Sequence, residues 1–205
     1  MAFVNSLIKI YIHYIKKIYS LSLWVVLILG LTACSTKEAP PTKSEKDNTN
    51  IFKINEAIGI SSLDPAFARN FENIMAVNQL FNGLVQMNEK LEVIPAIAKS
   101  WKISEDGKEY TFILRDDVYF HDHPVFPEGK GRKVIAQDFV NSFYRIIDPK
   151  LASPGAWIFN DVDFSEKSDY SGFIAVDDTT LKIILKNAFP PFLGILTMQY
   201  CSVVP

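Results

Sequence analysis

Residues 21–33 read LSLWVVLILGLTA without a charge, and Lys9, Lys16 and Lys17 precede them. A membrane-spanning helix needs about 20 apolar residues. The apolar core of a secretory signal needs roughly 7 to 15, behind a positive start and ahead of a small-residue cleavage site. This run has the shorter length, so residues 1–33 read as an export leader that takes no part in the folded domain. The stretch before it is itself fairly apolar (Leu7, Ile8, Ile10, Ile12, Ile15), which leaves an early start codon and an unusually extended leader both open. Residues 35–50, STKEAPPTKSEKDNTN, carry two prolines, several charges and no large apolar side chain. Such a segment buries too little surface to offset the entropy of ordering. Residues 34–50 are therefore expected to be a disordered tether, able to reach about 50 Å when extended. What can fold is residues 51–205, long enough for one hydrophobic core.

The leader ends in Leu31, Thr32, Ala33 and Cys34, which resembles the bacterial lipobox. In that resemblance the Cys34 thiol takes a diacylglycerol, cleavage follows Ala33, and the acylated cysteine becomes the N-terminus held in the membrane. Two acyl chains anchor stably, since each buried methylene contributes about 0.8 kcal/mol. A plain signal peptide and an uncleaved apolar anchor are the alternatives. Cys201 is the second of two cysteines and is left without an intrachain partner, so no disulfide framework is implied. Removing the three leader lysines from 21 basic residues leaves 18 against 23 acidic ones, a net charge of −5. That balance argues against a nucleic-acid partner or recruitment by anionic lipid.

From Ile51 the apolar residues alternate, Phe52 and Ile54 with Lys53 and Asn55, which predicts a half-buried strand. Ser61, Ser62, Leu63, Asp64 and Pro65 break it into a loop. Ile74, Val77, Leu80 and Phe81 recur at helical spacing, predicting a helix over residues 72–81 with Asn82 and Gly83 as its C-cap. Short apolar runs around Val85 and Val93, separated by Asn88, Glu89 and Lys90, predict short strands and a turn. Trp101 and Ile103, the turn Glu105, Asp106, Gly107, Lys108, and then Tyr110, Phe112 and Leu114 form a strong hairpin signal, with Gly107 free to take positive φ. A polar loop over residues 121–133 leads to a helix over Ala136–Ile147, which places Phe139, Phe143, Ile146 and Ile147 on one face and stops at Asp148 and Pro149. A strand follows at Leu181, Ile183 and Leu185 after the turn Asp177, Asp178, and a helix from Phe192 behind Pro190 and Pro191. Short strands and helices in irregular order predict the α/β class, as a mixed α+β lobe.

The densest set of candidate ligating groups is His121, Asp122 and His123, with Asp116 and Asp117 just before. Two histidines one residue apart on an extended segment face the same way and could offer zinc or nickel two imidazoles. A structural site needs three or four ligands, and the sole further histidine is His13 in the leader. A solvated turn is therefore the expectation, with no metal and no cofactor. Outside the leader, where Ser6 and Lys9 have the S-x-x-K spacing, no G-x-S-x-G, S-x-x-K, H-E-x-x-H or Gly-rich phosphate loop occurs. The aspartate pairs 161/163 and 177/178 sit in turn-like sequence, so the chain is not expected to be an enzyme.

Residues 98–117, AKSWKISEDGKEYTFILRDD, resemble the signature of family 5 extracellular solute-binding proteins, the oligopeptide-binding lipoproteins of ABC transporters. Ala98, Asp106, Tyr110, Phe112, Leu114, Arg115 and Asp117 take its positions. The likeness runs on through Phe120, His121, Asp122, Pro124 and Val125 to Ala136, Gln137, Asp138, Phe139, Ser142, Phe143 and Arg145, and back through Ser62, Leu63, Asp64, Pro65 and the Leu80 to Val85 region. The loop over residues 126–133 is longer than the family pattern. These signature residues are expected to build scaffold. The resemblance implies the N-terminal part of a two-lobed, type II periplasmic-binding-protein-like fold whose second lobe the chain lacks. It also implies a peptide ligand, ABC permease subunits as partners, and residence on the periplasmic or cell-surface side. By the same resemblance the cleft-facing segments are the Ser62, Leu63, Asp64 loop and residues 153–159, where Trp157 is either an aromatic wall or core. Nickel, haem or oligosaccharide binding is the alternative within the family; a surface hydrolase or structural lipoprotein is the alternative outside it.

The anchor is testable by itself. Cys34→Ser is expected to move the protein from the membrane fraction to the soluble one; unchanged retention would indicate an uncleaved apolar anchor.

Overall fold

Two runs of alternating apolar residues face each other across a turn in the computed structural model, which describes residues 53–55, 58–165 and 172–205. The leader, Cys34, the tether, and the start of the expected strand at Ile51 and Phe52 lie outside the described residues. Strand β3 (Ala98–Ile103) pairs antiparallel with β4 (Glu109–Leu114), placing Trp101 opposite Phe112 and Ile103 opposite Tyr110. The turn closes because Gly107 takes φ +70° and the Asp106 carboxylate accepts the Ser104 hydroxyl at 2.5 Å and the Lys108 N–H at 3.2 Å. These bonds hold the Asp106 carboxyl below its ordinary value. The two-residue period then carries Tyr110, Phe112 and Leu114 into the core.

Strands β5 (Phe173–Asp177) and β6 (Thr180–Ile184) complete an antiparallel sheet in the order β3-β4-β6-β5. The hairpin's inner strand is thus central, and its partner β6 arrives after a long excursion. Sequence periodicity predicts β6 but not β5, whose residues FIAVD do not alternate. Phe173 is buried, Val176 is exposed, and the register slips between Ala175 and Asp177. Gly172 enters β5 at φ +89°, with the Val162 side chain 2.6 Å from where a Cβ would stand, so a larger residue is excluded there.

The excursion holds helix α2 (Ala136–Ile147), which packs over β5 and β6. Its apolar face supplies Phe139 and Phe143, and the Phe143 ring lies 4.8 Å from that of Phe159 and 5.2 Å from that of Phe173. Ile135 has no polar side chain to cap the helix. Asp138 at the third helical position substitutes, accepting the Ile135 N–H at 3.0 Å. Its carboxylate is 4% exposed by residue and tied by the Arg132 fork at 2.7 and 2.6 Å, so the buried charge is paired. Arg132 also lies over the Phe120 ring at 5.0 Å.

Helix α1 (Phe71–Leu80) forms where its periodicity predicts, but its end corrects the expected cap. Phe81, in extended conformation, terminates it, and Gly83 does not adopt positive φ. Gly83 is there for proximity: a Cβ would meet the Cys201 carbonyl at 3.2 Å. Strands β1 (Val85–Met87) and β2 (Val93–Pro95) form a separate two-stranded ribbon, its turn held by Asn88 accepting the Lys90 and Glu92 N–H groups at 2.9 Å. Residues 53–55 form no strand, so the alternation there is not realised in pairing. Helix α3 (Phe192–Ile195) is a single turn behind Pro191. The last residues return to α2, where the Val204 N–H donates to the Ser142 hydroxyl at 3.0 Å.

Phe143→Ala should destabilise the fold by about 3–5 kcal/mol in denaturant unfolding, because it opens a cavity among fixed rings. Ile103→Ala, on a side chain 40% exposed at the sheet edge, should cost under about 1 kcal/mol.

Candidate ligand-binding site

The loop that follows the expected first strand is shaped by its own short side chains. The Asp64 N–H donates to the Ser62 hydroxyl at 3.1 Å, and Asp64 Oδ1 accepts the Ala66 N–H at 3.0 Å, capping a 3-10 turn at Pro65–Phe67. Long-range bonds then fix the loop at both ends. Asn73, on the first turn of α1 and 3% exposed, accepts the Ser61 N–H at 3.1 Å and donates to the Ser61 hydroxyl at 3.0 Å. Arg145, in the last turn of α2, grips both Asp64 carboxylate oxygens at 2.9 and 2.5 Å. The guanidinium holds the Asp64 carboxyl below its usual range, and the Ala66 N–H adds to this against the opposing effect of partial burial. A depressed pKa means that the pair's contribution is fully present above the ordinary value of 3.8 and is lost as pH falls through the lower folded value.

A third tie brings in a distant segment. The Ser153 hydroxyl donates to the Ala66 carbonyl at 2.6 Å and accepts the Gly155 N–H at 3.1 Å. Gly155 lies against Tyr200, whose ring would be 2.4 Å from a Cβ, so this close approach requires glycine. The two segments expected from the sequence to face a ligand therefore meet. Between them is an open concavity of about 440 Å³, walled by Ser61, Ser62, Phe67, Arg69 and Asn70 on one side and by Ala152 and Pro154 on the other, with Asn73 beneath.

The sequence-derived candidates divide. Ser62 lines the concavity. Leu63 is 47% exposed and Trp157, on the 3-10 turn Ala156–Phe159, is 49% exposed, and neither belongs to the wall. The Asp64 carboxylate is taken up by Arg145 and the Ala66 N–H, so it positions the loop. Phe67, Arg69 and Asn70 were not singled out from the sequence. The available signal was an Arg-Asn pair directly ahead of α1, in the same loop as Ser62.

The signature residues lie elsewhere. Ala98, Tyr110, Phe112 and Leu114 are buried beneath the hairpin, Asp106 closes its turn, and Arg115 forms an exposed two-bond pair with Asp117 at 2.9 and 2.8 Å. His121 and His123 border a smaller apolar recess of about 280 Å³ with Tyr119, Phe120, Val125 and Phe126. The long loop beside it is ordered by Asp122, which accepts from Lys130 Nζ at 2.7 Å and from the Gly131 N–H at 3.0 Å. His123 Nδ1 accepts the Val125 N–H at 3.2 Å, which occupies one possible ligating atom. Among the described residues no three His, Cys, Asp or Glu side chains cluster closely enough to hold a metal ion.

Comparison with known proteins places this framework. The periplasmic murein peptide-binding protein MppA of Escherichia coli is 40% identical over 144 residues, 66% of this chain and 25% of the relative. Heme-binding protein A of Haemophilus influenzae is 32% identical over 187 residues, 85% of this chain and 34% of the relative. Among solved structures, OppA of Listeria monocytogenes bound to peptide superposes with a TM-score of 0.65 at 26% identity, covering 73% of this chain and 30% of that one. The chain spans about a quarter to a third of the length of the curated relatives it matches. The mixed α+β lobe is shared with these type II periplasmic-binding-protein structures. Residues 92–205 match the model described as bacterial extracellular solute-binding proteins, family 5 Middle, and the chain belongs to that family.

Proposed function

We propose that the lobe forms one wall of a peptide-binding cleft, in the lipid-anchored substrate-binding component of an ABC importer. The observation that carries this reading is the concavity joining residues 61–73 to residues 152–154, on a framework shared with proteins named for binding peptides. Its wall suits a peptide backbone. The Ser62 hydroxyl, which accepts the Asp64 N–H and keeps its own O–H to donate, and the uncommitted Asn70 amide present polar groups for a main chain, and Phe67 and Pro154 offer apolar contact. Leu63 and Trp157, exposed on the same two segments, would accommodate ligand side chains loosely. Binding through the ligand's backbone tolerates many sequences. Cys34 and the tether would hold such a receptor near its permease at high effective concentration. The chain captures cargo without transforming it.

The test uses the complete gene product, with whatever its reading frame encodes on either side of residues 1–205. Calorimetric titration with mixed tri- to pentapeptides should give saturable binding, and the peptides should be recovered uncleaved. Heat from Ni²⁺, haemin or an oligosaccharide with none from peptides would replace the peptide reading, and cleaved peptide would indicate a hydrolase.

A further inference from the structure

We propose that Arg69 makes this concavity selective for ligands that present a carboxylate to it. The inference rests on the peptide-binding reading and specifies the class of peptide. The sequence holds four arginines. Three are committed to two-bond forks with aspartates: Arg115 with Asp117, Arg132 with Asp138, and Arg145 with Asp64. The fourth, Arg69, has no acidic partner among the described residues and is the sole charged residue on the wall of the concavity.

The base of Arg69 is rigid while its head is free. Its N–H donates to the Phe67 carbonyl at 2.9 Å, and the preceding Ala68 carbonyl accepts from Gln199 Nε2 at 2.6 Å. Asn70, beside it, makes no capping bond with its side chain, so its amide is available to the same ligand group. With no carboxylate on the wall, an anionic ligand meets no like charge, whereas a cationic one faces the guanidinium. A guanidinium fork matches a carboxylate through two parallel hydrogen bonds, as the protein's other three arginines illustrate. The carboxylate could be a peptide's C-terminus or an Asp or Glu side chain; the chemistry is shared and the test separates the sources.

Calorimetry on the complete gene product would compare four tetrapeptides: tetra-alanine with a free C-terminus, its C-terminal amide, and amidated versions carrying one internal Glu or one internal Gln. Wild type should prefer a carboxylate-bearing peptide over its neutral counterpart by about five- to tenfold, the range of a partly exposed charged hydrogen bond. Loss on amidation assigns the C-terminus; loss on Glu to Gln exchange assigns a side chain. Arg69→Gln should abolish the preference with an unchanged melting temperature, Arg69→Lys should retain part of it, and Arg69→Glu should shift preference to the amide. Peptide binding with equal discrimination in wild type and Arg69→Gln overturns the inference alone, as does binding without discrimination in wild type. Failure of every peptide to bind overturns the peptide reading and this inference with it.

Discussion

Asp64 and Arg145 are 81 residues apart in sequence and joined by two hydrogen bonds. The arrangement of the candidate site depends on that junction. Arg145 projects from the last turn of α2, and α2 is held against the sheet by Phe139 and Phe143 and at its start by Asp138 and Arg132. The sheet is in turn organised around β4, the inner strand of the hairpin. Position is transmitted from the hairpin through the sheet, the helix and this ion pair to the loop, which the Asn73 and Ser153 hydrogen bonds and the buried Pro65, Ala66 and Ala68 also hold. Both partners are partly exposed, so the pair's net contribution to global stability is modest. Its larger effect is to restrict where the loop can lie.

Much of this framework was legible in the sequence because it rests on local periodicity. Tyr110, Phe112 and Leu114 alternate behind a turn whose chemistry needs only Asp106 and Gly107, and α2 carries its apolar residues on one face. The failures have a common cause in long-range partners. β5 does not alternate and forms because β6 offers it an edge. Gly83 reads as a helix cap but serves a close approach to Cys201, a residue 118 positions later. The alternation near Ile54 predicts a strand, and the described residues there form none.

The candidate site was legible as segments and not as atoms. The resemblance pointed to the loop around Ser62 and to residues 153–159, and the Ser153 to Ala66 hydrogen bond shows that the fold brings these regions together. Sequence could not tell that Asp64 faces inward, since this depends on Arg145 lying across the fold. For the same reason it could not distinguish Arg69 from the other arginines. Only the pairing of the other three leaves it as the cation of the concavity. The long loop over residues 126–133, a departure from the family pattern, is ordered through Asp122, Lys130 and Gly131 and joined to α2 by Arg132 and Asp138, and none of its residues lines the concavity.

The central claim is that Asp64 and Arg145 act as one unit that positions the loop proposed to face ligand, without contacting ligand themselves. A double-mutant cycle with Asp64→Asn, Arg145→Gln and the pair, read in both unfolding free energy and peptide affinity, tests it most directly. Modest coupling is predicted in unfolding free energy and strong coupling in affinity: either single change should weaken peptide binding, and the double mutant should be little worse than the more damaging single one. Additive losses, or full peptide affinity in the single mutants, would contradict the account.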